Sequence, residues 1–96
     1  RSNTQVKTRE TVAREWTERR FSCDLWVDTP GARWENYVHE VDEVVYVLEG
    51  TMEFEMQGKI QTLQPGDATF IPAGVRHSAR NIGSSTARWL YGYKYS

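Results

Sequence analysis

Downstream of Gly50 the chain reads TMEFEMQG, in which Met52, Phe54 and Met56 alternate with Thr51, Glu53 and Glu55. A period of two is the signature of a strand with one buried and one solvated face. The segments that follow are short and divided by turn residues. Lys59 to Leu63 reads as a return strand after Gln57-Gly58, Ala68 to Ile71 follows the Pro65-Gly66-Asp67 turn, and Val75 to Ile82 follows Pro72-Ala73-Gly74. In such turns proline presets φ and glycine accepts a positive one. A last strand is predicted over Ala87 to Tyr95, where Ala87, Trp89, Tyr91, Tyr93 and Tyr95 are set against Arg88, Leu90, Gly92 and Lys94. Upstream, Phe21, Cys23, Leu25 and Val27 alternate with Ser22, Asp24, Trp26 and Asp28 before the Pro30-Gly31 turn. Glycines at 50, 58, 66, 74, 83 and 92 recur every eight or nine residues, the interval of an all-β sandwich or barrel. Thr11 to Arg20 stays open: Val12 and Trp16 are spaced as on one face of a short helix, and a polar edge strand fits as well.

Composition narrows the picture. A chain of 96 residues predicts a single domain over 1–96, with 1–20 as an N-terminal edge segment, and its small core makes a homodimer a natural way to bury more surface. Twelve basic and thirteen acidic side chains give a formal charge of -1 with no block of either sign, which removes the usual electrostatic warrant for nucleic acid or an acidic membrane. The single cysteine, Cys23, forms no internal disulfide, and no apolar run is long enough for a membrane span or a signal peptide, so a cytoplasmic protein is expected. The chain opens on Arg1 rather than methionine, as it would if a short N-terminal piece had been trimmed.

The candidate chemistry lies in the stretch YVHEVDEVVYVLEG, residues 37–50. If it is one unbroken strand, Tyr37, His39, Val41, Glu43, Val45 and Val47 share a face, and the three valines mark that face as the inner one. The same parity joins Val75, His77, Ala79 and Asn81. A buried carboxylate is costly unless it is paired, hydrogen-bonded or bound to a cation, and both histidines of the chain fall on these two faces. Glu43, His39 and His77 therefore compose a candidate metal site.

These residues sit in two motifs. Residues 31–50 resemble the first motif of the cupin superfamily, G(x)5HxH(x)3E(x)6G, as Gly31, Tyr37, His39, Glu43 and Gly50, with tyrosine in place of the first histidine. Residues 66–81 resemble the second, G(x)5PxG(x)2H(x)3N, as Gly66, Pro72, Gly74, His77 and Asn81, without departure. The resemblance implies a double-stranded β-helix, the cupin jelly-roll barrel, with the motifs and their spacer over 31–81. It also implies His39, Glu43 and His77 as metal ligands and one divalent transition metal: Fe(II), Zn, Mn, Ni or Co. Two histidines and a carboxylate are a set able to bind Fe(II) facially with positions left open.

At Tyr37 two readings stand together: an active role, as ligand, partner of a metal-bound water or substrate-orienting group, and a core aromatic whose hydroxyl finds an ordinary partner. Arg33, Arg76, Arg80 and Arg88 could meet a substrate carboxylate, against the plainer reading of surface charge. Cys23 reads as a small core residue. Trp26, Trp34 and the ladder from Trp89 to Tyr95 could line a pocket for a ring-containing ligand, or pack the barrel or a dimer interface. Two kinds of function follow. One is a metal-dependent enzyme of dioxygenase, isomerase or cyclase type on a small organic molecule, with Glu43 and Tyr37 as its catalytic candidates. The other is a non-catalytic barrel that binds or senses a small molecule, with or without metal. No DNA-binding segment is legible, which counts against a complete transcription regulator.

Overall fold

The computed structural model describes residues 6–95. The undecided segment is a helix, α1 (Arg9–Glu18). The Thr8 side chain caps it by accepting from the Thr11 N–H at 3.2 Å, and Arg20, with φ of 67°, ends it in the left-handed region. Val12 and Trp16, one turn apart, are its buried face.

Eight strands follow: β1 (Asp24–Asp28), β2 (Arg33–Tyr37), β3 (Glu43–Glu49), β4 (Met52–Met56), β5 (Lys59–Leu63), β6 (Ala68–Ile71), β7 (His77–Asn81) and β8 (Ala87–Tyr93). They form two antiparallel four-stranded sheets, ordered β1-β8-β3-β6 and β2-β7-β4-β5, the sandwich of a cupin jelly roll. Between the sheets lies an apolar core that includes Val45, Val47, Met52, Phe54, Ile71 and Trp89. Alternation therefore reads the inner faces of β4, β7 and β8, but β7 (His77–Asn81) and β8 (Ala87–Tyr93) are shorter than the predicted Val75–Ile82 and Ala87–Tyr95, and Tyr95 is exposed beyond the end of β8.

Strand β3 differs from the one-faced expectation. Val45 and Val47 enter the core between the sheets, while Val44 and Tyr46 enter a second cluster with Val12, Trp16, Phe21 and Leu90. Helix α1 covers the outer face of the first sheet, so β3 is apolar on both sides, as a doubly covered strand must be. Phe21, Cys23 and Leu25 pack in this outer layer, whereas Val27, expected on their face, is exposed. Trp26 and Asp28 turn the other way. Gly92 sits where the helix crosses β8: a Cβ there would strike the Ser22 carbonyl and lie 2.9 Å from the Trp16 ring.

The expectation of one strand over 37–47 is corrected. Strand β2 ends at Tyr37 and β3 begins at Glu43, in different sheets, with residues 38–42 crossing between them. Asn36 has φ of 61° and the β2–β7 register shifts between Trp34 and Tyr37, a bulge that breaks the parity. Val41, assigned by parity to the inner face, is 40 % exposed.

Candidate metal centre

The crossing segment is irregular yet held at several points. The Gly74 N–H donates to the His39 carbonyl at 2.8 Å, the Ala73 N–H donates to Asp42 Oδ1 at 2.8 Å, and the Lys94 N–H donates to the Asp42 carbonyl at 2.9 Å. These bonds fix His39 above the end of the core. Glu43 opens β3 on its inner face, opposite Tyr93 of β8, and His77 opens β7, opposite Tyr37 of β2. One carboxylate from the first sheet, one imidazole from the second and one from the crossing segment thus meet.

Their ligating atoms all lie within 4.8 Å of one another. Glu43 Oε1 stands 3.5 Å from His39 Nε2 and 3.5 Å from His77 Nε2. Donors bound at about 2.1 Å around a tetrahedral centre lie roughly 3.4 Å apart, so these separations suit a shared cation. Glu43 is 4 % exposed, and its Oε1 is a buried oxygen with no hydrogen-bond partner among the described residues. An unmatched buried carboxylate oxygen between two imidazole nitrogens is the signature of a position meant for a positive charge.

The ring orientations agree. His77 Nδ1 lies 3.1 Å from the Val75 carbonyl, so Nδ1 carries the proton in the neutral ring and Nε2 faces Glu43 with its lone pair. Burial works to lower the His77 pKa, but the Glu43 carboxylate and the Val75 carbonyl outweigh it, and the net direction is upward. The Tyr93 hydroxyl stands 3.3 Å from His39 Nε2. Burial, reinforced by the Glu43 charge, pushes the Tyr93 phenol up to about 12, which keeps it a neutral donor at physiological pH.

Glu43, His39 and His77 form one end of a cavity of about 220 Å³ whose other walls are aromatic, among them Trp26, Trp34, Trp89 and Tyr91. Tyr37 lines this cavity and is 44 % exposed, so the core-aromatic reading gives way to one at the cavity wall. Its ring lies nearly parallel to that of His39, with centroids 6.4 Å apart.

Two residues escaped the sequence reading. Tyr93 was seen as one rung of a ladder, and only the β3–β8 register sets it opposite Glu43. Asp28, grouped with polar alternates, is buried and accepts from three indoles: Trp26 Nε1 at 2.8 Å, Trp34 Nε1 at 3.1 Å and Trp89 Nε1 at 3.0 Å. Its signal was Trp26, which shares its parity and would scarcely face solvent by choice.

The other candidates resolve plainly. Arg80 pairs with Glu35, Glu53 and Glu55 at 2.7 to 3.0 Å, tying β2, β7 and β4 together. Arg33 joins Glu35 at 3.1 Å, Arg88 meets Glu49 at 3.5 Å, and Arg76 donates to the Asn36 carbonyl at 3.4 Å. None of the four lines the cavity. Burial pushes the Cys23 thiol up, the direction opposite to that of a nucleophile. Asn81 is structural: its side chain donates to the carbonyls of Asp28 and Ser85 and accepts from the Gly83 N–H.

Comparison with known proteins bears on this geometry. Residues 24–93 match the Cupin_2 family, described as Cupin domain. Over 68 residues the chain is 35 % identical to "Polyketide synthase CurC" of Streptomyces cyaneus, a match covering 70 % of this chain and 44 % of that protein. The chain thus spans less than half the length of this curated relative. Among solved structures, TT1209 from Thermus thermophilus is 35 % identical with a TM-score of 0.70, over 78 % of this chain and 73 % of that one. The Cupin_2 domain of an XRE family transcriptional regulator from Enterobacter cloacae is 26 % identical with a TM-score of 0.72, over 83 % and 86 %.

Proposed function

The chain belongs to the cupin domain family, and on that premise we propose that it is a metal-dependent enzyme acting on a small organic molecule. The observation that carries the reading is the unmatched Glu43 Oε1 between the two imidazoles, at the end of a cavity with aromatic walls. His39, Glu43 and His77 would hold one divalent transition metal, with Fe(II), Zn, Mn, Ni and Co all compatible with two nitrogens and an oxygen. When bound, the cation supplies Lewis acidity toward a carbonyl, as in an isomerase or cyclase, or a redox centre for an oxygenase.

The residues around it serve that chemistry. The aromatic walls exclude water and receive the carbon body of a substrate. The Tyr93 hydroxyl, protonated and next to His39, can donate a hydrogen bond to a substrate oxygen, and Tyr37 can orient that oxygen from the cavity wall. Glu43 can hold a proton when it is not a ligand. The Streptomyces cyaneus relative bears the name of a polyketide synthase, which favours an oxygenated, carbonyl-bearing substrate for this chain too.

A binding reading has its own support, since one structural relative is the cupin domain of a transcriptional regulator. We place the protein in the cytoplasm, and no described helix is long and apolar enough to cross a membrane. A homodimer is part of the proposal: β6 is a sheet edge bearing the exposed Phe70, and light scattering of the purified protein tests it.

The deciding experiment is elemental mass spectrometry of untagged protein purified without chelators, beside a folded His39→Ala, His77→Ala double variant. About one equivalent of a transition metal in the parent and almost none in the variant supports the centre. A parent that is empty and takes up none of the five ions on addition refutes it. With the metal known, turnover of carbonyl-bearing aromatic and polyketide-like compounds with and without oxygen separates oxygenase from Lewis-acid chemistry, and saturable binding without turnover favours the binding barrel.

A further inference from the structure

Asp28 stands outside the cavity lining, is 3 % exposed, and has no cationic partner among the described residues. Its acceptor sites are filled by neutral donors. Trp26 Nε1 donates to Oδ1 at 2.8 Å, Trp89 Nε1 to Oδ2 at 3.0 Å, and Trp34 Nε1 bridges both oxygens at 3.1 and 3.2 Å. These three tryptophans all line the cavity, and they come from both sheets: Trp26 and Trp89 from β1 and β8, Trp34 from β2.

An indole has one polar handle, a donor. With that handle spent on a carboxylate behind the wall, each ring has only face and carbon edge left for the cavity. The rings are also locked against one another: Trp26 meets Trp34 edge-on at 5.5 Å between centroids and Tyr91 edge-on at 6.2 Å. The titratable and ligating groups of the lining, Glu43, His39 and His77 with Tyr93, are displaced from the tryptophans along the sheet: Glu43 pairs with Tyr93 of β8, whereas Trp26 pairs with Trp89, four residues earlier on the same strand. The volume of about 220 Å³ is below the usual range for drug-sized ligands and admits one fused ring pair rather than a larger body.

We infer that Asp28 is a positioning residue that makes the tryptophan end of the cavity a receptor for a flat aromatic ring, held by its faces and edges, with the ligand's oxygens turned toward Glu43. The inference rests on this cavity being the ligand site proposed above. It does not require the metal, so the two can fail separately.

The probe pair is a naphthalenediol and its fully saturated decalin counterpart, which share two hydroxyls and differ in flatness and π-surface. Affinities are measured by isothermal titration for the parent, Asp28→Asn and Asp28→Ala, each with its metal content. The parent binds the aromatic diol about tenfold more tightly, the size expected for oriented ring contacts beyond area burial. In Asp28→Asn the amide nitrogen faces an indole donor, one ring is released, and the ratio falls to within about threefold, with metal content unchanged. A merely structural Asp28 would weaken both probes alike and leave the ratio standing. A parent without discrimination, or a folded Asp28→Asn that keeps it, overturns the inference. If neither variant folds, the parent decides alone: its three indole N–H resonances must stay slow to exchange at saturation with the naphthalenediol, and their transfer to the ligand or to solvent overturns it. Loss of metal with discrimination intact would instead count against the metal centre only.

Discussion

Replacing Glu43 by methionine removes the one buried side-chain oxygen or nitrogen that lacks a partner among the described residues, and keeps nearly the same side-chain volume. An unsatisfied buried acceptor costs about 1–3 kcal/mol. The metal-free Glu43→Met protein is therefore expected to be more stable than the metal-free parent by that amount, and at 4–8 °C per kcal/mol for a domain of this size its Tm rises by at least about 4 °C. Metal reverses the order. At a free concentration about a thousandfold above Kd, a ligand stabilises the folded state by about 4.1 kcal/mol, more than the upper end of the gain, and the variant lacks one of the three ligands needed to collect it. The assay is calorimetric unfolding of both proteins with chelator and with saturating zinc. It is run at about pH 8 and repeated at higher pH until the difference stops changing, because Glu43 and the Val75 carbonyl raise the His77 pKa and a protonated His77 would stand in for the cation. Two results would refute the reasoning. If Glu43→Met is the less stable protein in chelator, Oε1 is not a liability without metal. If zinc raises both Tm values equally, Glu43 is not a ligand.

Other consequences are quickly checked. The Arg80 guanidinium holds the Glu35 carboxyl at about 2, below its ordinary 4.5, so this pairing stabilises the fold above pH 4.5 and is lost as pH falls toward 2. Glu35→Gln should therefore flatten the dependence of Tm on pH across that window and leave the neutral-to-alkaline limb unchanged. Gly92→Ala drives a methyl group into the Ser22 carbonyl and the Trp16 ring and is expected to cost about 1–3 kcal/mol in urea unfolding. Tyr93→Phe removes the hydroxyl that stands 3.3 Å from His39 Nε2, and zinc affinity by titration calorimetry should hold or rise by up to about tenfold, since one neutral hydrogen bond no longer has to be broken.

The sequence reading reached the site by a route the structure does not follow. Parity along an unbroken strand put His39 and Glu43 on one inner face, but β2 and β3 belong to different sheets and the segment between them is irregular. The motif spacing carried the correct information because it encodes the crossing itself: Gly74, in the second motif, donates the backbone bond that fixes His39 of the first. Turn glycines were legible for a local reason, since Gly50, Gly58, Gly66 and Gly74 all have positive φ. Gly92 looked like one more of them and is not. It is small because a helix crosses over it, a contact between distant parts of the chain that no local pattern announces. The helix was undecidable for a related reason, as Val12 and Trp16 match a helical stripe that only the outer face of β3 and β8 completes.

The two buried carboxylates give the strongest internal argument for a cation. Asp28, behind the tryptophan wall of the aromatic cavity, and Glu43, in its lining, are equally hidden, at 3 % and 4 % exposed. For Asp28 the fold supplies three indole donors drawn from both sheets, which shows that this small barrel can satisfy an interior carboxylate with neutral groups. The other buried polar side chains are matched as well: Ser78 accepts from the Asn36 N–H, Asn81 makes three hydrogen bonds, and His77 meets the Val75 carbonyl. Glu43 is the exception, although Tyr93 stands directly opposite it in the sheet and turns its hydroxyl to His39 instead. With that hydroxyl engaged at His39, the oxygen is left open on the side where both imidazoles present nitrogen. That arrangement costs stability unless a positive charge occupies it, and the Glu43→Met comparison measures that cost directly.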